Sequence, residues 1–267
     1  MIGHLKGFVK ALPFVKEIFL SIYERKFSKA NNGNLFRGVY GTFDEALKSA
    51  PSTKPLGYDH EAPASMYLDR LIKLHSTDYP ILFWLKDIVK ETKSLTDFGG
   101  HIGVGYYCYK DILGITDDFQ WVNYDVSAVT EEGRELAINR GVKNITFTSN
   151  FSGIENIETL MASGSLQYLK ENIWETVAKH SNKPKHILIN MLPIHDGHEF
   201  FTLQNIGTAF CPYRIYNRNN LIHNFENLGY QLIDYWTNPE KSCYIPLKPN
   251  HSQYGYHGMY LKLSVIK

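Results

Sequence analysis

The residues of this chain best suited to chemistry lie in Asp97-Phe98-Gly99-Gly100-His101-Ile102-Gly103, where an acid ends a short apolar run and glycines follow at once. An apolar run broken by glycines ahead of further apolar and aromatic residues predicts a strand, a tight turn and a helix N-terminus. Glycine lets a ligand approach the backbone closely, and the unpaired N–H groups that open a helix face an anionic or carboxylate-bearing group. No register of Gly99, Gly100, Gly103 and Gly105 gives the dinucleotide fingerprint G-x-G-x-x-G, which disfavours a dinucleotide-dependent oxidoreductase. Asp97, Gly99, Gly100, His101 and Gly103 therefore form a candidate cradle for a cofactor of another nucleotide type.

Such a cradle needs a frame, and the pattern from residue 94 onward supplies one. Strands alternate with helices there, the signature of a parallel sheet with crossover connections. Strands are expected at 95–98, 121–125, 145–149, 159–162, 186–191, 230–235 and 260–266, and helices near 104–113, 128–140, 169–181 and 218–228. In open α/β sheets, ligands bind beyond the carboxyl ends of the strands. Asp125 follows the second strand, where a carboxylate can accept both hydroxyl protons of a ribose or, alternatively, cap the next helix. Asn150 and Phe151 follow the third and suit the edge and face of an adenine. Ser165 and Gln167 follow the fourth.

Residues 1–90 read as an N-terminal helical appendage or lid, and 91–267 as the α/β domain. Apolar residues at helical spacing from Ile2 to Ile22 predict a helix that Pro13 kinks or divides. Lys6, Lys10, Lys16, Arg25, Lys26 and Lys29 make it basic, so it suits a membrane surface, the body of the protein or a second copy in a homo-oligomer. Phe36 to Tyr40 reads as an irregular aromatic loop, and Thr42 with Glu45 as a capping box that starts a short helix. Further helices are expected at 64–75 and 79–92. No strand alternation is evident in this part.

The bulk numbers exclude several classes. A formal net charge of +1 and the lack of a basic stripe argue against a nucleic-acid substrate. Cys108, Cys211 and Cys243 are odd in number, far apart and in no CxxC pair, which fits a reducing cytoplasm and indicates neither a zinc site nor disulfides. No apolar run reaches transmembrane length.

The segments Phe36-Arg37-Gly38-Val39-Tyr40, Leu56-Gly57-Tyr58-Asp59, Asp97-Phe98-Gly99-Gly100, Ser165-Leu166-Gln167-Tyr168-Leu169, Phe201-Thr202-Leu203-Gln204-Asn205 and Leu228-Gly229-Tyr230 carry a family likeness. Over residues 35–263 the chain resembles a family of bacterial class I S-adenosylmethionine-dependent methyltransferases, often encoded with capsule or surface-polysaccharide biosynthesis genes. The resemblance implies a Rossmann-like seven-stranded sheet, mostly parallel with the last strand antiparallel, and S-adenosylmethionine as cofactor. One departure stands out: His101 occupies the central glycine position of the usual acid-x-Gly-x-Gly-x-Gly motif. A non-catalytic binding or scaffold protein on the same sheet is the alternative it supports.

The resemblance also implies a small-molecule methyl acceptor, a sugar or phosphorylated metabolite. O-methylation is the expected reaction, and an O-methyl phosphoramidate modification is one specific form of it. Methyl transfer needs alignment and, for a hydroxyl acceptor, removal of a proton. His195 and His198 are the candidate bases. The cluster His195-Asp196-Gly197-His198 matches no H-E-x-x-H helix or His-x-Asp spacing, so no metal is assigned. Arg214 suits bidentate capture of a phosphate or carboxylate. Gln204 and Tyr213 lie in the same stretch, and Arg37, Tyr40 and Tyr58 in the appendage are candidates to complete the pocket. Thr237 to Met259 reads as a long loop forming another wall.

Overall fold

The computed structural model describes residues 13–31, 33–59, 71, 73–150 and 157–264. Residues 1–12, most of the helix expected over 64–75, and Phe151 lie outside them.

Seven strands form the main sheet: β2 (Ser94–Phe98), β3 (Gln120–Tyr124), β4 (Ile145–Thr148), β5 (Thr159–Ser163), β6 (His186–Leu192), β10 (Tyr230–Cys243) and β11 (Gln253–Leu263). Their order is β10-β11-β6-β5-β2-β3-β4. Pairing is parallel from β6 through β4, and β11 runs antiparallel to both β6 and β10. The expected seven-stranded sheet with one reversed strand at the end of the chain is therefore present. Chain order reverses between β2 and β5, which opens a crevice at their carboxyl ends.

The alternation of side chains along each strand divides the core in two. In β5 and β6, Met161 and Leu188 enter one apolar cluster, with Leu95, Trp121 and Ile145, while Leu160, Ile187 and Ile189 enter the other. Both faces are covered, so these strands read as continuous apolar runs. Helices α3 (Tyr79–Glu91), α4 (Val104–Leu113) and α5 (Ser127–Asn139) cover the first face; α6 (Ile173–Lys179) and α7 (Arg218–Asn227) cover the second. In α3, Ile81, Leu82, Leu85 and Ile88 are buried on one stripe, each worth about 1.5–3 kcal/mol of transfer free energy.

A second sheet was not expected. Its strands β1 (Leu35–Tyr40), β7 (Ile194–His195), β8 (Phe200–Asn205) and β9 (Phe210–Asn217) lie in the order β1-β8-β9-β7. The reading of Phe36 to Tyr40 as an irregular loop in a helical appendage is corrected by β1, which pairs antiparallel with β8. The helices α1 (Pro13–Lys29) and α2 (Phe43–Lys48) flank it, and α2 opens with the Thr42–Glu45 capping box expected.

The long loop expected over 237–259 shrinks to 244–252: β10 and β11 continue past the sheet as a paired ribbon, Asn238 opposite Tyr256 and Cys243 opposite Gln253. The register shifts between Asn238 and Ser242, around Pro239, which has no N–H to give a ladder. The ribbon's Cys243 and Tyr256 pack with Phe36, Phe200, Tyr213 and Ile215 of the second sheet. Among the described residues, no helix is long and apolar enough to cross a membrane.

Candidate functional site

A cavity of about 830 Å³ lies where the carboxyl ends of β2, β3 and β5 meet the second sheet and the ribbon, within the roughly 300–1,000 Å³ of small-molecule sites. Of the residues singled out from sequence, Asp97, Gly99, Gly100, His101, Asp125, Ser165, Tyr58, Gln167, Gln204 and Tyr213 line it.

The turn after β2 is built around missing side chains. Gly99 has φ +73, and a Cβ there would stand 2.2 Å from Cβ of Ser165; one on Gly100 would meet Oδ1 of Asn123 at 2.1 Å. Both positions require glycine. Ser165 donates its hydroxyl to the Phe98 carbonyl at 2.6 Å, clipping the loop after β5 to the turn after β2. His101 adopts φ 58, a conformation natural to glycine. Its N–H donates to Oδ2 of Asp125 at 2.8 Å, and its carbonyl accepts from the side-chain amide of Asn123.

Two acids face this turn. Asp97 is buried, and loss of hydration raises its carboxyl to about 8, with Asp125 adding to the rise. Asp125 is raised to about 6 by desolvation, opposed by its bonds from the Val126 and His101 N–H groups. Asp125 does accept from Val126 N–H at 2.8 Å, so the capping alternative and a ligand-facing position coexist in one residue. Two carboxyls held above their usual range suit a ligand that brings positive charge.

The opposite wall comes largely from elements not read as strands. Tyr168 donates its hydroxyl to Gln204 at 2.8 Å, and Gln204 donates in turn to Asn34 at 3.1 Å. Tyr213 donates to the Tyr256 hydroxyl at 2.8 Å. Asp59, Lys73, His75, Asp78, Tyr109 and Lys241 also line the cavity. None was singled out as a site residue: Lys73 and His75 fell in the helix expected at 64–75, Tyr109 in that expected at 104–113, and Lys241 in the expected loop.

Other candidates lie elsewhere. His195 accepts the Gly197 N–H at Nδ1 (2.8 Å), so its Nε2 carries the proton and donates to the Asn250 carbonyl at 2.8 Å. Both ring nitrogens are thus committed to backbone groups of the protein, and the side chain lies outside the cavity lining. His198 is exposed and packs beside His195 and His251, outside the cavity lining. Among the described residues, no group of His, Cys, Asp and Glu could hold a metal. Arg214 is buried, donates to the Lys170 carbonyl at 2.6 Å, pairs with Glu199 at 3.5 Å, and stacks between Phe201 and Tyr216. It ties the second sheet to the loop before α6 and does not line the cavity. Arg37 pairs with Glu24 at 2.9 Å, and Tyr40 packs in the cluster of Phe27, Leu203 and Phe210. Gly103 abuts Ile145, Tyr107 and Phe147. Asn150 is exposed in a local turn with Thr148.

No protein-family model matches the sequence, and no curated protein does. Among solved structures, the chain is similar to the Burkholderia thailandensis 1,6-didemethyltoxoflavin-N1-methyltransferase, crystallised with 1,6-didemethyltoxoflavin and S-adenosylhomocysteine. The TM-score is 0.51 and the identity 16%, over 81% of this chain and 95% of that one. It is also similar to an S-adenosylmethionine-dependent methyltransferase from Clostridium acetobutylicum, with TM-score 0.50 and 8% identity over 76% of this chain and 98% of that one. At such identities the likeness is one of fold. Together with the strand order, it shows that this chain has the Rossmann-like methyltransferase fold.

Proposed function

We propose that the protein is an S-adenosylmethionine-dependent methyltransferase that methylates a hydroxyl of a small polar acceptor, a sugar-like precursor of a bacterial surface polysaccharide. The observation that carries this reading is one cavity with two unlike halves: a glycine turn with two acids, facing a wall of tyrosines and amides. The residues fit the cofactor. Gly99 and Gly100 leave the backbone open, Asp125 suits the ribose hydroxyls, and the buried Asp97 suits the ammonium end. When bound, S-adenosylmethionine would supply a methyl group whose bond to sulfur breaks with the electron pair left on sulfur as the acceptor oxygen bonds to carbon. The chain's part is to align the acceptor, exclude water and take the hydroxyl proton. His75, which lines the cavity, is the imidazole suited to that last task in place of His195 and His198.

A phosphorylated acceptor, including a phosphoramidate, is not favoured, because Arg214 is already held by Glu199 and Lys170. We read residues 1–90, together with β7, β8 and β9, as the lid over the α/β body. Calorimetry tests the cofactor assignment: S-adenosylhomocysteine should bind and NADH should not. Absence of S-adenosylhomocysteine binding would remove the enzyme reading in favour of a scaffold, and binding of NADH in its place would restore an oxidoreductase.

A further inference from the structure

Of the predicted acceptor-side residues that line the cavity, Gln167 is the one with a buried side-chain atom lacking a hydrogen-bond partner among the described residues. It sits in the 3-10 turn Leu166–Tyr168 after β5, is only 3% exposed, and lines the cavity. Its Nε2 donates to the Gly164 carbonyl at 2.7 Å, which fixes the amide's orientation and leaves Oε1 as the second polar atom. That Oε1 has no hydrogen-bond partner. A buried carbonyl without a donor costs roughly 1–3 kcal/mol, and a fold that could bond or replace it would ordinarily do so. The atom therefore points to a donor that arrives from the cavity.

The neighbouring groups narrow the donor's chemistry. The Tyr168 hydroxyl gives its proton to Gln204. Asp59 and Asp78 add two carboxylates to the lining beyond Asp97 and Asp125, against the cations Lys73 and Lys241. An anionic oxygen placed at Gln167 would meet a carbonyl dipole end-on, acceptor against acceptor. A hydroxyl gives a proton to that carbonyl and still keeps lone pairs for a second donor. The rings of Tyr58 and Tyr168, 5.9 Å apart and tilted by 40°, offer the apolar faces on which the C–H side of a pyranose packs.

Resting on the proposed methyltransferase reading, we infer that Gln167 Oε1 is the acceptor-positioning group of this site, and that it selects an uncharged polyhydroxylated ring over a phosphorylated one. Gln167 acts on the acceptor by orienting it; it moves no proton.

Ligand-observed NMR on the full chain saturated with S-adenosylhomocysteine tests this, with methyl α-glucoside, methyl α-galactoside and methyl α-mannoside as neutral probes and glucose 6-phosphate as the anionic one. At least one neutral glycoside should bind and the phosphate should bind more weakly. Gln167→Met, which keeps the side chain's length and removes the carbonyl, should weaken that glycoside at least about fivefold and leave S-adenosylhomocysteine affinity unchanged. Gln167→Glu can replace the amide only in its protonated form, whose hydroxyl donates to the Gly164 carbonyl while the other oxygen accepts, so binding should recover as pH is lowered. The inference is overturned if no neutral glycoside binds, if glucose 6-phosphate binds more tightly, or if Gln167→Met binds the glycosides like the wild type. Failure of S-adenosylhomocysteine itself to bind would instead count against the cofactor reading on which the inference rests. Loss of both ligands in Gln167→Met and Gln167→Glu alike would assign Gln167 a purely structural role.

Discussion

The backbone N–H of His101 and the carboxylate of Asp125 are joined by a 2.8 Å hydrogen bond. The turn after β2 and the acid after β3 are therefore one unit, and a ligand that engages one contacts a surface shaped by the other. The second oxygen of Asp125 is held by the Val126 N–H at 2.8 Å, which fixes the carboxylate plane while leaving a lone pair on each oxygen for a diol.

Asp125→Ala should therefore weaken S-adenosylhomocysteine by roughly 10- to 100-fold, the value of a hydrogen bond to a charged group. Thermal stability should fall as well, because His101 and Val126 lose their acceptor. Calorimetry measures the affinity, and an unchanged constant would remove the ribose assignment.

Asp97 couples the stability of the fold to pH. Its carboxyl is raised to about 8 by burial first and by Asp125 second, whereas an unfolded aspartate titrates near 3.9. Between these values the folded state holds a proton that the unfolded state has released, so stability falls as pH rises. Its contribution is complete below the unfolded value and is lost as pH climbs through about 8. The melting temperature of the ligand-free protein should drop from pH 5 to pH 8.5, and Asp97→Asn should flatten much of that drop. A cationic ligand end should also expel the proton, so calorimetry at pH 7 in buffers of different ionisation enthalpy should register proton release. A pH-independent melting temperature would show that Asp97 is already ionised.

The cofactor half of the site was legible because its chemistry is local: an acid, glycines and a second acid follow strands whose apolar runs are buried on both faces. The acceptor half was legible only in part: Tyr58, Gln167, Gln204 and Tyr213 were singled out and line the cavity, but the strands that carry Gln204 and Tyr213 were not read, because they have little apolar alternation. Phe200–Asn205 is buried throughout, yet Thr202, Gln204 and Asn205 satisfy their polar groups within the fold, Asn205 by bonding the Phe27 and Ala30 carbonyls. Pro212 sits within β9 at no cost to a second ladder, because only Tyr216 and Asn217 of β9 pair with β7 and Pro212 has a ladder partner in β8 alone. Arg214 read as a ligand clamp because residue type says nothing about whether a cation is already paired. Its aromatic flanks Tyr213 and Tyr216 were the available sign of burial.

Arg214→Leu should therefore act on the fold before it acts on any acceptor. Losing the bond to Lys170 and the pairing with Glu199 should cost about 1.5–3 kcal/mol, seen in urea unfolding. S-adenosylhomocysteine affinity should hold in the fraction that remains folded. A variant with wild-type stability but no acceptor binding would return Arg214 to the site.

His195→Ala should lose the bridge between Gly197 and Asn250 and loosen the turn that joins β7 to β8. Methyl transfer should fall by far less than the roughly 10²–10⁴-fold that a general base contributes. His75→Ala should show the larger loss. Single-turnover transfer from labelled S-adenosylmethionine separates the two, and a greater loss in His195→Ala would assign the base role to His195.

His101 is where this chain departs from a glycine, and its φ of 58 makes the departure testable. A non-glycine residue held there stores about 1–3 kcal/mol of strain, offset by the bonds from its N–H to Asp125 and from Asn123 to its carbonyl. If the backbone of the turn rather than the imidazole serves the ligand, His101→Gly should keep S-adenosylhomocysteine affinity within a few-fold. His101→Asn, a residue that tolerates the left-handed region, should behave similarly. His101→Val cannot adopt that conformation cheaply, so it should unfold at lower temperature and lose affinity together with the Asp125 contact. Melting curves and calorimetry on the three variants decide the matter: a loss of affinity in His101→Gly at unchanged stability would show that the imidazole, and not the turn it sits in, contacts the ligand.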